Sequence, residues 1–473
     1  MPAARRPRLY VDLDGTLIRT DLLAEGFAAL AARAPHRLLA IPAWLLRGKA
    51  YLKTRLADQV TINAARLPYH EELLAYLRAE RAAGRRLVLA SGSPRAFVEH
   101  VAAHVGIFDA VMATEPARNL TGKVKRDAIV AAEDGAPFDY VGNGPDDLPV
   151  WEAAAGAICV GASARTVRLA RARAEVVRVF GSRGSRLVAA IKALRVHQWL
   201  KNMLLFVPLA TSHKIGNAGL ALHATIAFLA FSCTASAVYV VNDVLDLEAD
   251  RNHPRKRDRP FASGALPLSA AGLLVPTLLA AAVALSWILP AAFLGMLGLY
   301  GGMALAYSLL LKRVVLLDAL TLAGLYTMRV MAGAEAVNVA PSFWLLAFSM
   351  FVFLSLALVK RASEVIDRSA DATASGRDYG GADLPTITML GTSSGYLAVL
   401  VLALYINSDD VSALYAHPQL LWFLCPILLY WIGRTWIVTT RGQMHHDPVV
   451  FALRDPVSWA IAVVGASIVL LAS

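Results

Sequence analysis

The sequence predicts an α/β domain of the Rossmann-like kind with a helical cap, followed by an all-α polytopic membrane bundle of about nine transmembrane helices. Three observations carry this expectation. Residues 8 to about 165 alternate short apolar runs with Ala-, Leu- and Arg-rich stretches. Beyond Trp199, apolar segments of near-bilayer length recur. Of the 473 residues, 57% are hydrophobic and the mean hydropathy is +0.52, which is too apolar for a single soluble enzyme.

The short runs at 9–11, 87–90 and 138–141 are separated by helical stretches, the pattern of an open parallel sheet with crossover helices. Residues 20–85 are helical in character and carry Trp44, Leu45 and Leu46. They read as a cap over the ligand end of the sheet, although ordinary core packing explains that stripe equally well. The opening MPAARRPRLYVDLDGTL turns directly into a strand without an apolar stretch long enough for a signal sequence, so this domain is expected in the cytoplasm. A basic stretch from Arg165 to Arg195, including GSRGSR, reads as a connector with an amphipathic helix near the membrane surface. The expected divisions are 1–165, a connector over 166–195, and a membrane domain over 196–473.

The apolar segments fall near 202–212, 219–241, 267–289, 291–311, 315–333, 342–359, 390–407, 419–438 and 456–472, the first being short and partly interfacial. Alternate loops hold Arg251, Arg255, Lys256, Arg257 and Arg259, then Lys312 and Arg313, then Lys360, Arg361, Arg368 and Arg377, then Arg441 and Arg454. Apart from Lys214, the loops between them hold almost none. This bias predicts a multi-pass inner-membrane protein with the charged loops and the first domain on the cytoplasmic side. The net charge of +11 is spread over segment ends, where anionic lipid or phosphate is the expected partner and nucleic acid is not. Cys159, Cys233 and Cys425 lie far apart in apolar runs and read as buried thiols.

Asp12 and Asp14, in VDLDGTL, end an apolar strand, so both carboxylates project into the crevice at the carboxyl end of a parallel sheet. One such carboxylate can attack phosphorus while the other exchanges a proton with the leaving group and then with water. Ser91 follows the strand LVLA, Lys125 lies in TGKVK, and GNGPDD runs from Gly142 to Asp147. Together these residues resemble the haloacid dehalogenase (HAD) superfamily, the motifs occurring in order over about 160 residues. The resemblance implies Asp12 as nucleophile and Asp14 as general acid and base. It also implies Ser91 and Lys125 on the phosphoryl group, and magnesium among Asp12, Asp14, Asn143 and Asp147. Asn143 stands where the family places an acid, so its carbonyl can ligate a hard cation without bringing charge. Two readings stay open: an active phosphatase, or a degenerate one kept for regulation or substrate docking.

The run NDVLDLEADRNHPRKRDRP, residues 242–260, follows an apolar helix directly. Asp243, Asp246 and Asp250 recur at helical spacing and, with Asn242, set hard oxygen ligands along one face. Such charges at a membrane boundary are costly unless they have a use, and magnesium held by a few carboxylates is the usual arrangement for a diphosphate; a loop kept cytoplasmic by its basic residues accounts for Arg255 to Arg259 but not for the regular acids. Lys256 and Arg259 lie where they could meet further phosphate oxygens. The segment resembles the acidic motif of the UbiA superfamily of intramembrane prenyltransferases, over about residues 190–473.

A finer resemblance is to the branch formed by the decaprenyl-phosphate phosphoribosyltransferases. It rests on Arg195, Gln198, Trp199, Lys201 and Asn202 in RVHQWLKN, on HPRKRDRP, on Tyr307, Lys312 and Asp318 in YSLLLKRVVLLD, on Arg329, and on KRASE from Lys360 to Glu364. The second acidic motif of ordinary prenyltransferases is missing; Glu364, Asp367 and Asp371 do not form that pattern.

The resemblance implies transfer of 5-phosphoribose from phosphoribosyl diphosphate to a polyprenyl phosphate. Asp243 and Asp246, with magnesium, would act at the leaving group, and an oxocarbenium-like centre would develop at ribose C1. Lys201, Lys312, Arg329, Lys360 or Arg361 would offset the negative charge. Asn202, Asn242, Lys256, Arg259, Tyr307, Asp318 and Glu364 complete the expected substrate contacts. Helix-end cations such as Lys312, Arg313 and Arg361 also fit a snorkelling or topological role. His445, His446 and Asp447 read as structural or gating residues. Two other functions stay open: a UbiA-type prenyltransferase using an isoprenyl diphosphate, and a polyprenyl-lipid scaffold with only the phosphatase domain active.

Overall fold

The computed structural model describes residues 6–116, 118–181, 184–212, 214–370, 379–408, 411, 415–444 and 447–473. Asp371, Arg377, His445 and His446 lie outside the described residues, as does the side chain of Arg368. The chain divides into two compact units, one comprising Met1–Arg195 with Tyr239–Pro276 and the other Val196–Val238 with Thr277–Ser473.

The first unit is built on a six-stranded parallel sheet: β1 Arg8–Val11, β2 Leu87–Pro94, β3 Ala110–Thr114, β4 Phe138–Gly142, β5 Gly156–Val160 and β6 Val176–Phe180. The strand order is β3-β2-β1-β4-β5-β6. Side chains alternate across each strand, and both faces are covered, as a parallel sheet requires. Leu9 and Val11 pack into one apolar cluster with the cap and helices, and Tyr10 packs on the other face with Val88, Phe138, Tyr140 and Trp151. The order reverses between β2 and β4 around β1, so a crevice opens at the carboxyl end of β1.

The region expected as a cap, 20–85, forms Leu22–Arg33, Pro35–Ala40, Ile41–Leu46, Lys49–Gln59 and Glu71–Ala82, with Trp44 packed on the domain core. Its first helix starts where the Asp21 side chain accepts the Ala24 N–H. Within 166–195, Val176–Phe180 is a sheet strand, with Val176, Arg178, Val179 and Phe180 paired to β5 across a register shift; only part of that stretch is a connector. The following helix Arg186–Leu194 buries Ala189 and Ala193 while Leu187, Val188 and Ile191 face outwards. Ala189 and Ala193 join Ala28 of the cap and Val240, Leu247, Phe261 and Leu266 in one apolar cluster, which makes 239–276 part of this unit.

The second unit is helical: Ala291–Leu309, Leu317–Ala336, Phe343–Ala370, Leu384–Ile406, Leu424–Thr440 and Pro456–Ala472 succeed one another. Across the described residues six helices are long and apolar enough to cross a membrane, rather than the nine expected. Three segments fall short for identifiable reasons. Leu317–Ala336 carries Asp318, Arg329 and Glu335; Pro456–Ala472 has 17 residues; and the first segment is broken into a 3₁₀ stretch, Val196–Phe206, and the short helix Val207–Thr211. Close helix approaches depend on small residues. A Cβ on Gly333 would lie 2.2 Å from the Leu205 carbonyl oxygen, and one on Gly391 would lie 2.0 Å from the Trp436 ring.

Candidate active sites

The first site occupies the crevice beyond β1. The turn after Asp14 needs Gly15 at φ 74°. Asp12 Oδ1 accepts from Lys125 Nζ at 2.7 Å and Oδ2 from Thr16 Oγ1 at 2.8 Å. Asp14 Oδ2 accepts from Ser91 Oγ and Ser93 Oγ, both at 2.8 Å, and Oδ1 from the Leu22 N–H at 2.8 Å. The four motifs thus meet, each from the end of a different strand or helix. Burial raises the Asp12 carboxyl to about 7, with Lys125 opposing it and Asp147 and Asp14 adding to it. Burial likewise raises Asp14 to about 6, with Asp21 adding and the Leu22, Ser93 and Ser91 donors opposing. Burial works against the Lys125 ammonium, yet Asp12 and Asp147 outweigh it and hold Lys125 above its ordinary value.

Asp147 is committed to its own loop. Its Oδ2 accepts from the Asn143 and Gly144 N–H groups at 2.8 and 3.0 Å, and its Oδ1 from Tyr140 Oη at 2.7 Å. Only glycine fits at 142, because a Cβ there would lie 2.6 Å from that carboxylate. Tyr140 also accepts from Lys125 at 3.0 Å, so a chain of hydrogen bonds joins Asp12 to Asp147. The sequence reading did not single out Thr16, Ser93, Tyr140 or the cap residue Lys53. Lys53 reaches the Gly92 carbonyl at 2.5 Å and Asn119 Oδ1 at 2.9 Å. Tyr140, the one hydroxyl-bearing side chain in the strand Phe138–Gly142, was a visible signal among them.

The acidic motif also lies in the first unit. Asn242 and Asp243 sit on the last turn of helix Ala218–Leu245, which stops before Asp246; Asp250 belongs to the next helix, Leu247–Asn252. The acids therefore straddle a break in the helix. Arg259 Nη1 lies 3.2 Å from Asp243 Oδ1 and 2.6 Å from Asp250 Oδ2, so two buried carboxylates converge on one cationic nitrogen. Arg195 donates to the same Asp243 oxygen and lies over the Tyr239 ring. Burial raises the Asp250 carboxyl, with Arg259 opposing. Lys256 and Asp246 flank this group in sequence. Among the described residues no three His, Cys, Asp or Glu side chains are clustered as a metal site. Still, two hard carboxylates already share one cation, the donor chemistry that a magnesium ion requires.

The remaining expected residues lie in the second unit, and all but Lys312 fall into three groups. Lys201 and Lys360 both reach Asp447 Oδ2, at 2.6 and 3.5 Å. Burial works against ionisation of Asp447, yet Lys360 and Lys201 hold its carboxyl well below the usual range. Arg329 is buried and donates to Asn202 Oδ1 at 2.9 Å, the Leu325 carbonyl at 2.5 Å and Tyr300 Oη at 2.9 Å, beneath the rings of Phe231, Tyr300 and Tyr326. Its charge is met by neutral oxygens and π faces. Arg361 pairs with Asp318 at 2.5 Å and Glu364 at 2.5 Å and donates to Tyr307 Oη at 3.1 Å, while Tyr379 Oη donates to Asp318 at 2.6 Å. Lys312 lies in the short turn Leu311–Arg313. An apolar cavity of about 570 Å³, lined by Pro208, Trp344, Phe348, Tyr405 and Leu424, is elsewhere in this unit. Phe348 and Lys360 are roughly 18 Å apart along their shared helix.

The UbiA prenyltransferase family matches residues 204–470, and the haloacid dehalogenase-like hydrolase family matches residues 9–152. Protein y4nM of Sinorhizobium fredii is 35% identical over 471 residues, spanning 98% of this chain and 90% of that one. Nodulation protein NoeC of Azorhizobium caulinodans is 34% identical over 56% of this chain and 86% of its own. The decaprenyl-phosphate phosphoribosyltransferase of Mycobacterium tuberculosis is 31% identical over 59% of this chain and 93% of its own. With more than half its length matched, and with apolar helices of membrane-crossing length, this integral membrane chain belongs to the UbiA prenyltransferase family and carries an N-terminal HAD-like hydrolase domain.

Proposed function

We propose that this chain transfers 5-phosphoribose from phosphoribosyl diphosphate to a polyprenyl phosphate, and that its hydrolase domain then removes a phosphate from the phosphoribosylated lipid. The observation that carries the transferase reading is the convergence of Asp243 and Asp250 on one cation. The similarity to a decaprenyl-phosphate phosphoribosyltransferase over 93% of its length supports the choice of donor. Asp243, Asp246 and Asp250 would hold magnesium, which supplies positive charge to the departing diphosphate. Arg259, now bridging two of these acids, would turn to phosphate oxygens, and Lys256 would join it. The attacking phosphate oxygen is already deprotonated at neutral pH, so the step needs no strong base. Lys201 and Lys360 would offset its charge.

In the hydrolase domain, Asp12 would attack phosphorus while the ester P–O bond breaks and Asp14 gives its proton to the leaving oxygen. Water, deprotonated by Asp14, would then break the acyl phosphate. Ser91 and Lys125 would hold the phosphoryl oxygens. Asp12 and Asn143 retain oxygens suited to magnesium, whereas Asp147 would act through Lys125 and its own loop.

This reading places nine crossings in the inner membrane, counting Leu317–Ala336, Pro456–Ala472 and the 196–211 region with the six apolar helices. The charged loops would face the cytoplasm. Membranes containing the protein, given labelled phosphoribosyl diphosphate and decaprenyl phosphate, should form a chloroform-soluble product that Asp243→Asn abolishes. Consumption of geranylgeranyl diphosphate instead would establish ordinary prenyl transfer. Phosphate release abolished by Asp12→Asn, with no lipid product from either donor, would leave only the hydrolase active.

A further inference from the structure

The cap over the hydrolase crevice has an unusual outer face. Along 35–46 the side chains divide by side: Leu38 and Trp44 pack inwards on the domain core, while Leu39, Pro42, Ala43 and Leu46, at helical spacing, point outwards together with Leu45. Leu39 is 85% exposed and Leu46 is 90% exposed. A fully exposed leucine pair is ordinary singly, but a contiguous apolar face marks a contact surface. The cations nearest it in sequence are Arg37, Arg47 and Lys49; farther out, Arg33 pairs with Glu248 and Arg55 with Asp58. Residues 26–57 hold six cations, Arg33, Arg37, Arg47, Lys49, Lys53 and Arg55, and no Asp or Glu.

We propose that this face, with Leu39, Leu45 and Leu46 entering the interface and Arg37, Arg47 and Lys49 meeting anionic headgroups, seats the hydrolase cap on the lipid bilayer. An apolar ridge flanked by cations, with no Asp or Glu within its own stretch of chain, is the composition of an interfacial element. The occupant is a bilayer rather than a second copy of this chain, because a two-fold contact through this face would set like charges against each other. The chain is itself anchored in a membrane, so the surface is always at hand. The cap also carries Lys53 into the crevice. Seating would therefore tie access to the crevice to the membrane surface. The inference does not depend on which diphosphate the transferase uses.

The test uses the full chain in lipid nanodiscs, with cysteine and an environment-sensitive nitrobenzoxadiazole label at Leu39→Cys, Leu46→Cys or, as a control on an exposed helix of the same domain, Ala132→Cys, in a background lacking the native cysteines. Unchanged thermal unfolding of each labelled protein establishes its fold. Emission at 39 and 46 should shift to shorter wavelength and be quenched by brominated lipid, more in phosphatidylglycerol than in phosphatidylcholine, while the label at 132 does neither. Arg37→Glu with Arg47→Glu should reduce the quenching at 46. Emission at 39 and 46 equal to that at 132 in every lipid would overturn the proposal. So would a blue shift without quenching by brominated lipid, or one that grows with protein concentration in detergent, since either means that protein covers the face.

Discussion

Arg251 grips the Glu25 carboxylate through both terminal nitrogens, at 3.0 and 2.6 Å, and both side chains are almost fully buried. Arg251 directly follows Asp250 of the acidic motif and also donates to the Ala262 carbonyl at 3.0 Å. Glu25 lies on the cap helix Leu22–Arg33, whose first N–H is held by Asp14. One turn of helix therefore separates a carboxylate of the hydrolase crevice from the clamp on the acidic-motif segment.

Removing the anion while leaving the guanidinium buried is more costly than the pair's net worth. Glu25→Gln should lower stability by roughly 3 kcal/mol, read as a lower thermal midpoint of the purified chain. The exchange Glu25→Arg with Arg251→Glu should recover part of the loss. An unchanged midpoint in Glu25→Gln would show that the pair contributes nothing.

The hydrolase should have an unusually high acid limb. Asp12 and Asp14 have carboxyls raised to about 7 and about 6, and attack on phosphorus needs an ionised carboxylate. The nucleophile is Asp12, so activity on p-nitrophenyl phosphate, whose phenolate leaving group needs little help from the Asp14 proton, should be lost as pH falls through about 7. The same shifts have a stability consequence of opposite sign. Carboxyls whose folded values exceed their unfolded ones favour the folded state fully below the unfolded value, near 4, and lose that contribution as pH rises through 6 to 7. A rate profile whose acid limb lies near 4 would contradict the burial of these groups.

Lys201 and Lys360 come from separate helical segments and share one Asp447 oxygen. A double-mutant cycle of Lys201→Met and Asp447→Asn, scored on kcat/KM of lipid-product formation, should give a coupling of about 1 to 3 kcal/mol. Additive effects would mean that Asp447 does not position Lys201. Lys360→Met should couple to Asp447 more weakly, since its contact is longer.

Two glycines in the helical unit are contact points. Gly391→Ala and Gly333→Ala would each drive a methyl group into a neighbour, Trp436 or the Leu205 backbone. Each should destabilise by about 1 to 3 kcal/mol. Gly391→Ala should be the milder, because an indole ring can shift where a backbone carbonyl cannot. Thermal unfolding in detergent reads both; Gly298→Ala, with open space around its added carbon, is the control.

Legible in the sequence were a parallel-sheet domain followed by a run of apolar helices, and where along the chain the candidate site residues stand. Alternating apolar runs specify a sheet, long apolar runs specify membrane helices, and both are local patterns. The ends of β1, β2 and β4 were legible as the places where Asp12, Ser91 and Asn143 would emerge, because a parallel sheet gathers its carboxyl-end loops.

Which charge meets which follows from the packing of elements far apart in the chain. Arg329, read as one of the cations that offset substrate charge, is held in the fold by Asn202, Tyr300 and a carbonyl. Asp447, read as structural or gating, proves to join Lys201 to Lys360. Strand β6 hid in a basic stretch because its exposed Arg178 interrupts the Val and Phe run. The physical reason is reach. Periodicity records which face of its own element a side chain occupies, whereas the Glu25–Arg251 clamp joins residues 226 positions apart and depends on which faces of distant elements are packed together.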